Sequence, residues 1–105
     1  MTDLSNSELR RLDLTVLLVF LGLLRHRKAS SVAKELGLTQ SAIRQALKRL
    51  REIFSDELFL RRPHGLEPTA TALALEPSVF RAVESLRGAL GAARSFDPAK
   101  VEGTV

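Results

Sequence analysis

Residues 39–54 read TQSAIRQALKRLREIF. Wound at 3.6 residues per turn, this stretch puts Ile43, Ala46, Leu47, Leu50 and Phe54 on one face and Ser41, Arg44, Gln45 and Lys48 on the other. A solvated helix surface ordinarily mixes both signs of charge, yet the first acidic residue here is Glu52. The polar face points to a negatively charged partner.

Just upstream, Ser30 or Ser31 can cap a short helix that ends near Leu36, and Gly37 suits the left-handed conformation that stops it. Thr39 then caps the helix quoted above. Helix, glycine turn, helix is the order of a helix-turn-helix unit. Ala33 is small enough to let the two helices approach, and Ile43 faces inward.

Downstream, SDE at 55–57 ends the helix, and short extended segments flank the turn RPH with Gly65. They predict a β-hairpin, which beside a helix-turn-helix is a wing. Thr69 opens a helical stretch to about Ser95, in which Val79, Val83, Leu86, Leu90 and Ala93 recur at alternating spacings of four and three. That heptad seam favours self-association over packing on the chain's own core. Pro77 is expected to kink the helix or mark a break near its first turns.

Toward the N-terminus, LDLTVLLVFLGLL (12–24) is helical in pattern, with one stripe at Leu14, Leu17, Leu18, Leu21 and Leu24 and another at Val16, Val19, Phe20 and Leu23. Two apolar faces need two partners, one of them another element or a second subunit. Asp13 and the short length read as a buried helix rather than a membrane span. His26 falls near its end, where positive charge suits the helix dipole. Residues 1–11 are polar and without period, a flexible lead.

The net charge of +4 comes from 16 basic and 12 acidic residues. Its distribution says more than its size: Arg25 to Arg62 hold ten basic residues against four acidic ones, and the rest of the chain holds six against eight. Such a concentration is the footprint of a phosphate backbone or an acidic membrane surface, and the apolar stripes argue against the membrane because they are committed to packing. There is no cysteine, which excludes disulfides and thiolate metal sites and fits a reducing cytoplasm. His26 and His64 have no recurring carboxylate partners, so no catalytic residues, metal site or cofactor are expected.

The texts LDLTVLLVFLGLL, VAKELGLTQSAIRQALKRLRE, DELFLRRPHGLEPT, ALALEPSV and SFDPA, in that order, resemble the N-terminal DNA-binding region of LysR-type transcriptional regulators. The resemblance implies a mostly α fold: a winged helix-turn-helix followed by a long linker helix forming a dimeric antiparallel coiled coil. It also implies a separate effector-binding domain, and the chain stops where that domain would begin. An excised fragment is therefore expected, without a small-molecule effector, and a naturally short regulator is the lesser possibility. The implied units are 1–11 as lead, 12–69 as DNA-binding domain, 70–95 as linker helix and 96–105 as a truncated hinge. Ser41 stands where the family usually has proline, and Arg44 and Gln45 where it has Ser-Arg, so no operator sequence carries over.

The resemblance places Gln40, Ser41, Arg44 and Gln45 at the major groove, and helix geometry separately exposes Ser41, Arg44, Gln45 and Lys48 together. Arg44 is expected to contact a base or phosphate, since arginine pairs with guanine O6 and N7, while Gln40 and Gln45 suit adenine. Lys48 reads equally as a phosphate contact or a solvated lysine. Ser30, Ser31 and Thr39 are caps that can also present a hydroxyl and backbone N–H to phosphate. Arg61 is expected along the DNA backbone or in the minor groove rather than paired with Asp56 or Glu57, with Arg62 and His64 as lesser contacts. Val16, Phe20, Leu23, Val79, Val83, Leu86 and Leu90 are expected to hold a homodimer on operator DNA. The other reading is an interaction module that pairs with a full-length regulator through its linker helix without reading DNA.

Overall fold

The protein was analysed as a computed structural model, which describes residues 5–95. Five helices and one hairpin follow in order: α1 (Asn6–Arg10), α2 (Leu14–His26), α3 (Ala29–Leu36), α4 (Gln40–Phe54), β1 (Phe59–Arg62), β2 (Gly65–Pro68) and α5 (Ala70–Ser95). The antiparallel hairpin pairs Phe59 with Pro68, Leu60 with Glu67, Arg61 with Leu66 and Arg62 with Gly65. This is a mostly helical winged helix-turn-helix with a long C-terminal helix.

One core joins α2, α3, α4, the base of the hairpin and the first half of α5. The apolar face of α4 lies in it as the sequence pattern requires, with Ile43, Ala46, Leu47 and Leu50 buried and Phe54 packed at its margin. Gly37 takes a left-handed conformation (φ 70°) and closes α3, while the Leu38 N–H reaches back to the Ala33 carbonyl at 2.9 Å. Gly22 lets α2 and α3 approach: a Cβ there would stand 2.9 Å from a methyl of the fully buried Val32.

The contact expected of α2 with a second subunit is not what it makes. Val16, Phe20 and Leu23 are 3%, 0% and 0% exposed, covered by α3, α4 and the hairpin of the same chain, and a side chain so covered has no surface left for a partner. The seam of α5 divides. Val79 and Val83 turn onto the chain's own core, whereas Leu86 and Leu90 are 49% and 57% exposed. No break falls at Pro77: α5 runs unbroken from Ala70 to Ser95, with Pro77 on its exposed side.

Two helix starts also differ from expectation. Ser5 caps α1 by accepting the Glu8 N–H at 3.2 Å, so a cap rather than a hydrophobic period starts a helix inside the expected lead. Lys28 occupies the N-cap position of α3, in extended conformation and with no side-chain cap bond, which moves Ser30 and Ser31 into the first turn. The start of α3 is set by the left-handed Arg27 (φ 62°) that ends α2, not by a serine. The expected hinge, 96–105, lies outside the described residues.

Candidate nucleic-acid interface

Thr39 is the N-cap of α4 and accepts the Ala42 N–H through its hydroxyl at 3.0 Å. With the opposite face held in the core, Gln40, Ser41, Arg44, Gln45 and Lys48 are all exposed along the outer side of α4. Gln45 sits toward the start of α2, beside Asp13, Thr15 and Arg49.

The hairpin is fixed to this helix from below. The Arg51 guanidinium, in the last turn of α4, donates to the Glu57 and Phe59 carbonyls, each at 2.8 Å, and Phe59 is fully buried. Because side chains alternate along a strand, Arg61 shares the face of Phe59 and stands opposite Leu66. Arg62 lies on the other face and donates to Glu67 at 2.8 Å; that bond holds the Glu67 carboxyl below its ordinary range. His64 is exposed in the two-residue turn at the wing tip.

Between the wing and the helix-turn-helix runs a slot of about 230 Å³ lined by Arg27, Lys28, Ser30, Gln40, Arg44, Arg61 and Arg62, with Gly65 and Leu66 on the wing side. The acidic residues of this region neutralise its periphery instead. Glu35 takes Arg25 at 2.7 Å, Asp13 takes Arg49 at 3.3 Å, and Glu57 takes Arg51 at 3.5 Å. The Arg25 bond, aided by His26, lowers the Glu35 carboxyl below its usual value. Among the described residues Arg27, Lys28, Arg44, Lys48 and Arg61 form no ion pair, and neither Asp56 nor Glu57 holds Arg61. The slot and the outer face of α4 are left positive, an arrangement suited to a polyanion.

Of the residues read from the sequence, Ser30, Gln40, Arg44, Arg61 and Arg62 meet around the slot. Ser41, Gln45 and Lys48 lie along the open helix face, His64 lies at the wing tip, Thr39 caps α4, and Ser31 lies in the first turn of α3 without capping it. Arg27 and Lys28 were missed. Their signal was the basic run RHRK ahead of ASS, whose last two residues helical periodicity assigns to no face because they form the turn between α2 and α3.

The profile described as "Bacterial regulatory helix-turn-helix protein, lysR family" matches residues 14–73. The HTH-type transcriptional activator NahR of Pseudomonas putida is 50% identical over 97 residues, covering 92% of this chain and 32% of its own length. The chain thus spans about a third of that curated relative. A crystal structure of the probable transcriptional regulator PA0477 from Pseudomonas aeruginosa superposes with a TM-score of 0.77 at 44% identity, over 89% of this chain and 31% of that one. The fold is also that of the CbnR DBD–DNA complex, with a TM-score of 0.71 at 22% identity, over 79% of this chain and 95% of that one.

Proposed function

Since the chain belongs to the lysR family of bacterial regulatory helix-turn-helix proteins and is a LysR-type DNA-binding domain, we propose that α4 enters the major groove of duplex DNA while the wing follows the adjoining backbone or minor groove. Arg44 reads a base edge from the middle of the exposed face, with Gln40, Ser41 and Gln45 beside it. Lys48, Arg61, Arg62 and His64 meet phosphates, as do Ser30, Ser31 and Thr39 near the starts of α3 and α4. The observation that carries this reading is the set of cations left unpaired on α4 and on both walls of the slot.

The working unit is a homodimer in the bacterial cytoplasm, non-catalytic, with residues 12–69 binding DNA and 70–95 joining the subunits. Its support is the outer half of α5, where Leu86 and Leu90 project from the body. Nearer the body, the half-exposed Phe80 of α5 faces Leu18 and Leu21 of α2 and Leu36 of α3 across a hollow rimmed by Arg25, Glu35, Glu76, Glu84 and Arg87. Two-fold symmetry then sets half-sites one helical turn, or a multiple, apart.

Binding to random-sequence duplex across a salt series tests the DNA reading. Several neutralised phosphates require log K to fall steeply and linearly with log salt. A flat dependence would instead favour an apolar pairing module.

A further inference from the structure

The wing is bonded at a second place besides its buried base. The Leu66 N–H donates to the Arg27 carbonyl at 2.8 Å, outside the pairing of β1 with β2. Next to it, Gly65 passes so close that an added Cβ would stand 2.8 Å from that same carbonyl oxygen. Gly65 also holds φ 133°, which side-chain-bearing residues rarely adopt. The carbonyl is itself held. Arg27 takes a left-handed conformation, its N–H bonds the Leu23 carbonyl at 2.9 Å, and its Nε bonds the Leu24 carbonyl at 2.7 Å.

Both sides of this contact line the basic slot. Arg27 and Lys28 stand on the helix-turn-helix wall, and Arg61 stands on the wing wall directly across the hairpin from Leu66. The bond therefore acts where the separation of the two walls is decided. Without it the wing would keep its base at Phe59 and Arg51 but lose its hold beside the cations.

We propose that the Arg27 carbonyl is a positioning group for DNA binding: by latching the Leu66 N–H against Gly65 it sets the width of the slot, so that Arg61 opposes Lys28 and Arg44 across a single phosphodiester strand. This rests on the DNA-binding reading and adds two positions, Arg27 and Gly65, whose part lies in backbone geometry rather than side-chain charge. Gly65 is required because any Cβ there pushes the wing off the carbonyl.

The test is a double-mutant cycle of Arg61→Ala and Gly65→Ala, read as the salt slope of duplex binding. In the unaltered background Arg61→Ala lowers the slope by about 1, the value of one phosphate contact. In the Gly65→Ala background it changes the slope little, because Arg61 no longer reaches its phosphate. Equal losses in both backgrounds would overturn the latch and leave DNA binding standing, whereas no salt-dependent binding by the unaltered protein would overturn both. Amide exchange of Leu66 in the unaltered free protein is independent of how the variants fold. Protection supports the latch, and exchange at the rate of an unbonded amide overturns it.

Discussion

The ring of Phe59, the first residue of the wing, meets that of Phe20, in the middle of α2, edge to face, with centroids 5.9 Å apart and planes inclined at 64°. Both side chains are fully buried. The hairpin is thus anchored in the same core that orients α4, and the pair contributes beyond its buried area. Truncation of either ring leaves a cavity on the other, so Phe59→Ala and Phe20→Ala should each cost about 3–5 kcal/mol of unfolding free energy. The double variant should cost less than the two combined, because the rings are in direct contact. Urea denaturation of the three variants checks this.

Asp56 joins three elements. Its carboxylate accepts the Leu58 N–H and the Thr69 hydroxyl, each at 2.8 Å, and the same Thr69 oxygen caps α5 by accepting the Ala72 N–H at 3.2 Å. The Leu58 bond first, then the Thr69 bond, holds the Asp56 carboxyl below its usual value. A carboxyl lowered in the folded state stabilises fully above its unfolded pKa, about 3.9, and that stability is lost as pH falls through the folded value. Asp56→Ala should therefore lower the thermal midpoint at pH 7 by more than at pH 3. The comparison with unaltered protein isolates this group, since Glu35, Glu52 and Glu67 are lowered as well and share the acid limb.

Gly22→Ala sets two effects against each other. The helix gains about 1 kcal/mol of propensity, but the new methyl meets Val32, which is fully buried and, being β-branched, has almost no alternative rotamer in a helix. Overpacking of this kind costs about 1–3 kcal/mol, so a net loss is expected. Adding Val32→Ala should make Gly22→Ala stabilising relative to Val32→Ala alone, as thermal denaturation of the pair would record.

The sequence made α4 legible because a single apolar face alternates cleanly with a cationic one, and the turn at Gly37 and the hairpin around Gly65 announce themselves by residue type. The two stripes of α2 were not separable. Both are built from large apolar residues, and only packing with the other elements, among them Val32, Ile43 and Phe59, puts Val16, Phe20 and Leu23 in the core. Arg27 has a left-handed backbone without glycine, and Lys28 is an N-cap without a capping side chain, so neither carries a local signature. The slot they line forms between the wing and the turn from α2 to α3, a tertiary approach that no spacing along the chain encodes.

The exposed half of α5 carries the dimer proposal. Leu86→Glu places a charge on a half-exposed position, so the monomer's stability should change by no more than about 0.5 kcal/mol. Sedimentation should shift from dimer to monomer, with weaker DNA binding alongside. Unchanged sedimentation would refute the assignment of the seam.

The central claim is that the outer face of α4 reads bases, and selection of bound duplexes from a random pool, for the unaltered protein and its Arg44→Ala variant, tests it most directly. The account predicts an enriched two-fold motif that the variant relaxes at one base pair of each half-site, with a loss of about 1–3 kcal/mol there. No enrichment by the unaltered protein, or the same motif read equally well without Arg44, would contradict it.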